Sequence, residues 1–191
     1  ALLERSTQAL ENEQSLRSIQ FSADEENLAS GFGFLSRKPL LVIFNQAEEQ
    51  AGRPLPEDYQ AELGRRALQG LALAGKLEME IAQLDEKDRP AFLKEIGNEE
   101  PARDRFIRAM YGLMDLLSFF TTGEDEVRAW TITKGTVAKK AAGKIHSDIE
   151  PGFIRAEVVT YDEFILCGSE AKCKEAGKLR LEGKDYLVKD G

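Results

Sequence analysis

Three polar side chains follow an apolar run in the first half of the chain, where a small ligand could bind. Leu40–Phe44 is a short apolar segment with β-branched members, and Asn45, Gln46 and Glu48 follow it. Such a run predicts a buried strand of a parallel sheet. Ligands bind beyond the carboxyl ends of parallel strands, so these amides and this carboxylate are candidate binding groups. The alternative is a plain strand end, since any strand of an α/β domain can be followed by Asn and acidic residues.

A basic segment lies in the second half of an acidic chain. The formal net charge of the 191 residues is −8, which argues against non-specific nucleic-acid binding by the protein as a whole. Between residues 127 and 156 the acidic residues are Asp148 and Glu150 alone. The basic residues of that range are Arg128, Lys134, Lys139, Lys140, Lys144 and Arg155. The segment is a candidate phosphate-binding surface, with a solvated charged face as the alternative.

The one histidine and the two cysteines are weaker candidates for functional residues than the two groups above. His146 is the single histidine and stands next to a serine and an aspartate, but adjacent residues point in different directions and cannot form a hydrolytic triad. We expect it to cap a helix or to lie at the edge of the core. The spacing of Cys167 and Cys173 fits no zinc or redox motif, so we expect free thiols.

The first half of the chain alternates predicted helices with short predicted strands. Ser22 and Glu25 have the spacing of a capping box and predict the start of a short helix. Pro56 predicts the first turn of another helix. Helices are predicted over residues 56–69, 78–84, 87–96 and 103–117, and a second strand over 71–74.

The pattern changes near Ser118, where short strands become more frequent. Strands are predicted over residues 119–123, 127–133, 154–159 and 186–188, and short helices over 137–145 and 169–176. Turns are predicted at Gly123-Glu124 and at Lys134-Gly135. This order of elements indicates a small α+β domain.

Several segments resemble the YchF subfamily of Obg-like ATPases, which belongs to the TRAFAC class of P-loop GTPases. Phe119–Thr136, which contains Phe-Phe-Thr-Thr-Gly and Arg-Ala-Trp-Thr-Ile-Thr-Lys-Gly-Thr, resembles the start of that family's TGS domain. Residues 141–158 resemble its helix and following strand, and residues 179–191 resemble its closing hairpin. Upstream, residues 76–84 and 92–97 also match, so the resemblance covers nearly all of the chain in order.

The resemblance implies a fold class of α/β plus α+β. Residues 1–36 would be the end of a helical coiled-coil insertion, and residues 37–117 the C-terminal part of a Ras-like P-loop nucleotide domain. Residues 118–191 would be a ubiquitin-like β-grasp TGS domain whose final strand is missing. The chain opens at Ala1 with no initiator Met near it, so we expect a large C-terminal fragment.

The resemblance also implies that the first polar cluster recognises a nucleotide base. Asn45, Gln46 and Glu48 stand where Ras-like domains carry Asn-Lys-x-Asp. Glutamate is one methylene longer than aspartate and is placed differently against guanine, and the family is implied to accept ATP at least as well as GTP. Gly75 and Lys76 fall in the implied loop that packs against the base. The alternative there is a plain helix entry.

Hydrolysis would need groups that the sequence does not contain. No Gly-x-x-x-x-Gly-Lys-Ser/Thr occurs, so the ligands of phosphate and Mg²⁺ would lie outside this chain. The intact parent is implied to bind ATP or GTP with Mg²⁺ and to hydrolyse ATP. This chain alone is expected to be inactive, with no catalytic and no metal-binding residue.

The implied partner is the ribosome, through its large subunit or ribosomal RNA. The candidate contact residues are Arg128, Lys134, Lys139, Lys140 and Lys144. There are two alternatives to the NTPase function: a TGS module that binds RNA or the ribosome, and a protein-interaction scaffold. Trp130 is expected in the core, with base stacking as the alternative. We expect a cytoplasmic protein without DNA specificity, and no membrane partner because no stretch approaches about 18 apolar residues.

Overall fold

The computed structural model describes residues 2–123 and 126–191 in two compact units, Ala1–Leu113 and Met114–Gly191. Ala1 and part of the predicted Gly123-Glu124 turn therefore lie outside the described residues. Each unit combines helices with two-stranded sheets, so the chain is a mixed α/β protein. Among the described helices, none has the length and apolar character needed to cross a membrane.

The first unit is built from six α-helices, three short 3-10 helices and one parallel strand pair within the described residues. The helices are α1 (Leu2–Glu11), α2 (Ala23–Ser30), α3 (Glu57–Arg65), α4 (Gly75–Gln83), α5 (Arg89–Glu95) and α6 (Ala102–Leu113). The strands are β1 (Leu41–Asn45) and β2 (Gln69–Leu73), and they run parallel with Leu41 opposite Gln69 and Asn45 opposite Leu73. The two strands predicted for this half are therefore confirmed as a parallel pair.

The core of the first unit lies where α4 packs against α5. Its buried residues are Ala74, Leu77, Ile81 and Leu93, with Ala51 and Ile96 packed against them. The apolar positions of α4 recur at helical spacing, so one face of that helix is buried while the other carries charge. This packing fixes the position of the first turn of α4.

Strand β1 is not buried, contrary to the prediction. Ile43 is 42% exposed, and the other apolar residues of β1 are only half-buried. Within the described residues the sheet has two strands, so its faces are only partly covered. An apolar run predicts a strand from local propensity, whereas burial depends on the elements that pack on both of its faces.

The start of α2 confirms the predicted capping box. The Ser22 hydroxyl accepts a hydrogen bond from the Glu25 amide at 3.3 Å, and the Glu25 carboxylate accepts one from the Ser22 amide at 3.0 Å. Nearby, the Arg37 guanidinium stacks on the Phe21 ring at 3.7 Å and donates to the carbonyl of the fully buried Leu16. These contacts order the polar N-terminal region around a small apolar centre.

The second unit contains two antiparallel strand pairs and four short helices among the described residues. Its elements are β3 (Leu116–Thr122), β4 (Val127–Thr133), α7 (Ala138–Ile145), α8 (Ile149–Gly152), β5 (Arg155–Val158), α9 (Tyr161–Cys167), α10 (Glu170–Glu175) and β6 (Arg180–Gly183). Strand β3 pairs with β4 and β5 pairs with β6, both antiparallel. The core is formed by Leu117, Ile132 and Ala141, with Phe119 and Val188 packed against it.

Two elements differ from their predicted extents. The helix predicted to reach Leu117 ends at Leu113, because Asp115 has φ 50° and Leu117 is buried as a strand residue opposite Ile132. The strand predicted over 186–188 is a single bridge between Val137 and Leu187. An apolar periodicity does not show where a helix gives way to a strand, since both can bury the same residues.

Helix α9 was not predicted from the sequence, although the residues at its two ends are typical of a helix start and a helix end. Thr160 caps it by accepting from the Glu163 amide at 3.4 Å, and Gly168 ends it with φ 77°. Threonine followed three residues later by glutamate, and glycine after the last turn, are helix start and stop signals.

Candidate functional site

Asn45 lies at the carboxyl end of β1, beside the end of the parallel strand β2. It stands opposite Leu73, and the next residue, Gln46, donates its amide hydrogen to the Leu73 carbonyl at 2.8 Å. The strand pair therefore continues one residue past β1 and holds the start of the following loop. Asn45 is exposed and Gln46 is half-buried, so the edge where ligands bind in such sheets is open.

A side-chain hydrogen bond joins the two loops that leave this edge. The Gly75 amide, at the first residue of α4, donates to Asn45 Oδ1 at 3.0 Å. A Cβ on Gly75 would lie 3.1 Å from the same oxygen, so glycine permits the close approach. Since Oδ1 is used in this way, Asn45 keeps its Nδ2 amide as a donor for a ligand.

The other predicted base-loop residues lie around this contact as polar, exposed groups. Glu48 begins a 3-10 helix that spans Glu48–Gln50, and its side chain is exposed. The Lys76 side chain is 76% exposed, with its Nζ 3.9 Å from the Glu80 carboxylate. The structure thus brings Asn45 and Gly75 into direct contact, while the charges of Glu48 and Lys76 face solvent.

An ion pair that the sequence did not predict holds α4 against α6. Arg105 donates to the Ala72 carbonyl at 3.1 Å and to Glu78 Oε1 at 3.1 Å. The second oxygen of Glu78 accepts from the Ala102 amide at 2.9 Å. The Arg105 and Glu78 side chains are only 22% and 12% exposed. No sequence signal pairs these residues, because neither a helical spacing nor a motif relates positions so far apart.

Gly52 ties the segment after Glu48 to the end of α5. Its φ is 71°, and a Cβ there would lie 1.9 Å from the Ile96 carbonyl oxygen. Only glycine adopts this conformation without strain and leaves room for that carbonyl. The loop that carries Glu48 is therefore anchored on both sides, by β1 and by the core of the first unit.

In the second unit, α7 carries the three predicted contact lysines, two of them on its exposed face. Ala138, Ala141 and Ala142 are buried, which places Lys140 and Lys144 on the exposed face and leaves Lys139 half-buried. Lys140 Nζ lies 2.5 Å from the Glu150 carboxylate. Among the residues that the structure describes, no carboxylate lies within ion-pair distance of Lys139 or Lys144. Part of the predicted basic charge is thus available to an anionic partner.

Arg128 lies on β4, where its guanidinium stacks on an indole. Its Cζ is 4.2 Å from the centre of the Trp130 ring, and Trp130 Nε1 donates to Thr121 Oγ1 at 2.9 Å. Alternate residues of a strand share a face, so Arg128 and Trp130 lie on the face that also carries the buried Ile132. Trp130 is half-buried at the edge of the core, which corrects the expectation of a core residue. Lys134 is exposed in the turn that follows β4.

His146 has the local role expected of a residue at a helix end. It follows the last residue of α7, and its Nδ1 accepts from the Asp148 amide at 3.2 Å. The side chain is 63% exposed. Within residues 2–123 and 126–191, no cluster of three or more His, Cys, Asp or Glu side chains has the arrangement of a metal site.

Comparison with known proteins places these features in a family. Residues 116–191 match the family model YchF-GTPase_C, described as a protein of unknown function (DUF933). The chain is 40% identical over 194 residues to a Bacillus subtilis protein and 42% identical over 192 residues to an Escherichia coli O157:H7 protein. Both relatives are named ribosome-binding ATPase YchF. Each alignment covers 100% of this chain and 53% of the relative, so the chain spans about half the length of these relatives.

A solved structure gives the same result. The Schizosaccharomyces pombe YchF GTPase matches with a TM-score of 0.85 and 28% sequence identity, over 100% of this chain and 52% of that protein. Sequence identity over the full chain, the family model on residues 116–191 and this structural similarity all agree. Residues 116–191 therefore belong to the YchF-GTPase_C family, and the chain as a whole is homologous to the matching half of YchF proteins.

Proposed function

We propose that the chain is part of a ribosome-associated P-loop NTPase that binds ATP and GTP and hydrolyses ATP when intact. The observation that carries the proposal is the hydrogen bond between Asn45 Oδ1 and the Gly75 amide. It joins two loops at the carboxyl ends of parallel strands, where nucleotides bind in α/β domains. The names of the bacterial relatives, ribosome-binding ATPase YchF, support the same assignment.

The proposal assigns a part of the parent to each region of the chain. Residues 1–36 end a helical coiled-coil insertion, and residues 37–117 form the last part of the nucleotide domain. Residues 118–191 form a TGS domain of the β-grasp type. The β3–β4 hairpin packed on α7, together with the β5–β6 pair, supports this last assignment.

The residues of this chain fit a base but not the phosphates. Asn45 Nδ2 donates to the purine N7, while Gly75 and Lys76 border the ring and Gln46 and Glu48 form the rest of the loop. Glu48 is not placed like the shorter aspartate that pairs with guanine, so adenine is accepted as well. The sequence has no phosphate loop, and the described residues form no metal-type cluster. Mg²⁺ and the phosphates therefore belong to groups outside this chain, where Mg²⁺ would neutralise the charge of the transferred phosphoryl group.

Two substitutions at Asn45 distinguish its hydrogen bond to the Gly75 amide from its proposed contact with the purine base. Asn45→Asp keeps an oxygen for the Gly75 amide but cannot donate to N7, whereas Asn45→Ala removes both contacts. We expect weak ATP binding by the native chain, seen as saturation-transfer NMR signals on the adenine protons. Both variants should lose these signals. Of the two variants, only Asn45→Asp should keep the Gly75 amide protected from hydrogen exchange, as it is in the native chain. Equal adenine signals from all three proteins would rule out this site.

A second candidate function is favoured by the surface of α7. The second unit would be a sufficient docking module for ribosomal RNA, with Lys139, Lys140 and Lys144 facing phosphates and Arg128 on Trp130 forming a cationic stacking platform. Nucleotide state in the parent would then only modulate docking.

Co-sedimentation of the purified chain with ribosomes, at low and at physiological salt, tests this docking. We expect binding that weakens as salt rises, because phosphate contacts release counterions. Changing Lys139, Lys140 and Lys144 to Glu should abolish it. The matched control changes Lys172, Lys174 and Lys189 to Glu, with the same change in net charge, and should keep it. Equal loss in both triple variants would show a net-charge effect, and pull-downs that recover proteins but no ribosomes would favour a protein-interaction scaffold.

A further inference from the structure

The structure brings together two thiols that the sequence spacing did not relate. Cys167 is the last residue of α9, and Cys173 lies in α10, the next helix. Gly168, with φ 77°, and the helix cap Ser169 turn the chain between them. These are the two cysteines of this chain.

The two thiols lie at the same helix junction but differ in their access to solvent. Cys173 is 0% exposed, and its thiol donates to the Glu163 carbonyl across 3.8 Å. The Glu163 carbonyl lies one helical turn before Cys167 on α9, so the Cys173 sulfur packs beside the end of α9 that carries Cys167. The Cys167 thiol is partly exposed. An accessible thiol against a buried one is the arrangement in which the first reacts with a reagent and the second displaces it.

We propose that Cys167 and Cys173 are a modification site that forms a reversible intramolecular disulfide by exchange with a low-molecular-weight disulfide. The inference does not depend on nucleotide or ribosome binding. One short turn joins the two positions and Cys173 already packs on α9, so closing the bond to an S–S distance of about 2.05 Å needs only a local rearrangement of this junction.

The reaction proceeds in two exchanges. The Cys167 thiolate attacks one sulfur of the reagent, the reagent's S–S bond breaks, and one thiolate leaves. Cys173 then loses its proton to solvent and attacks Cys167 Sγ, and the second thiolate leaves and is protonated. The protein dithiol is oxidised by two electrons and the reagent is reduced to two thiols, so no further oxidant is needed.

Deprotonation of the buried Cys173 thiol limits the rate of the second exchange. Burial raises the pKa of the Cys173 thiol, and the neighbouring Cys167 thiol adds to the effect. Because only the thiolate attacks, closure should accelerate as pH rises toward that pKa. No carboxylate is hydrogen-bonded to the Cys173 sulfur among the described residues, whereas the charges of Glu163 and Glu170 oppose its ionisation.

Closure would fix α9 against α10 at their junction. Helix α9 also contacts the last residue of the chain, since the Tyr161 amide donates to the Gly191 carbonyl at 2.7 Å. Glu163 of α9 pairs with Lys178, which follows α10, at 3.2 Å. A disulfide at the junction adds a covalent link between two segments already held by these weaker contacts, so amide exchange in α9 and α10 should slow in the oxidised form.

Treatment of the native chain with oxidised glutathione tests the proposal. We expect both thiols to disappear, the intact mass to fall by two hydrogen atoms, and no glutathione to remain attached. Trypsin should then release a peptide of residues 156–172 linked to the dipeptide 173–174, and a reductant should restore both thiols. Amide exchange measured before and after oxidation should show the slowing confined to α9 and α10.

Two single-cysteine variants define the roles of the thiols. Cys173→Ala should stop at a stable glutathione adduct on Cys167, because no second thiol displaces it. Cys167→Ala should leave Cys173 unmodified while folded and reactive once denatured, which also shows that the reagent is active. The proposal is wrong if the native chain retains glutathione on Cys167, or if both thiols stay free while the denatured chain reacts.

Discussion

Gly75 lies in direct contact with Asn45, in the loops proposed to bind the nucleotide base. A Cβ there would lie 3.1 Å from Asn45 Oδ1, an atom held in place by its hydrogen bond to the Gly75 amide. The oxygen cannot retreat without weakening that bond. Gly75→Ala should therefore destabilise the first unit by about 1 kcal/mol, the net contribution of one hydrogen bond.

Gly112 of α6 is the matched control for Gly75. Nothing lies within 4 Å of a Cβ at Gly112. Gly112→Ala should stabilise the protein by about 0.5–1 kcal/mol, since alanine is the better helix residue. Urea unfolding of both variants measures the difference, and a stabilising Gly75→Ala would show that Asn45 can shift without cost.

The Glu25 carboxylate gives the N-terminal region a pH dependence that can be tested. Its hydrogen bond with Ser22, and next the charge and hydrogen bond of Arg5, hold the pKa of Glu25 below its usual range. The charged carboxylate therefore stabilises the folded form at neutral pH. That contribution falls as pH drops from the usual carboxyl pKa through the lower pKa of the folded state.

Glu25→Gln should lower the melting temperature at neutral pH, and the difference from the native chain should shrink as the solution is acidified. Asp24→Asn in the same helical turn is the control, because it removes a charge without touching the capping box. Thermal melts followed by circular dichroism across this pH range measure both. A difference that is constant with pH would contradict the role assigned to the charge.

At the scale of elements, the Arg105–Glu78 pair joins α6 to the helix that begins with Gly75. Both side chains are mostly buried, and the pair also satisfies the Ala72 carbonyl and the Ala102 amide. Removing one partner leaves the other charge buried and unpaired. Arg105→Ala should destabilise the first unit by about 3 kcal/mol, as for other buried pairs.

Arg103→Ala is the comparison within the same helix. Arg103 pairs with Asp104 at 2.8 Å, but its side chain is 79% exposed. Solvent screens an exposed pair, so Arg103→Ala should change the free energy of unfolding much less than Arg105→Ala. Equal losses in the two variants, measured by chemical denaturation, would show that the Arg105 contact is a surface contact in solution.

At the scale of the whole molecule, the chain should not turn over ATP. Phosphoryl transfer needs a glycine-rich cradle with a lysine and ligands for Mg²⁺, and the sequence contains no such loop. We expect no Mg²⁺-dependent release of phosphate above the rate without protein. A bacterial relative named ribosome-binding ATPase, assayed in parallel, is the positive control. Turnover that purifies with this chain and depends on Mg²⁺ would contradict the prediction.

Local sequence patterns predicted those features that depend on a few neighbouring residues. Spacing over a few residues predicts three features: the capping box of Ser22 and Glu25, the strand Val127–Thr133, and the helix with Lys139, Lys140 and Lys144. It also predicts the placement of Asn45 at the end of a strand. Helix caps and hydrophobic periodicity act over this same range, which is why such features can be inferred from the sequence alone.

Only the tertiary structure decided which distant groups meet. The hydrogen bond between Asn45 and the Gly75 amide, the Arg105–Glu78 pair and the packing of Cys173 on α9 each depend on how the chain reverses between elements. The exposure of β1 and the end of α6 at Leu113 depend likewise on what packs against them. Propensity describes a residue and its near neighbours, whereas burial and long-range pairing are set by the packing of whole elements.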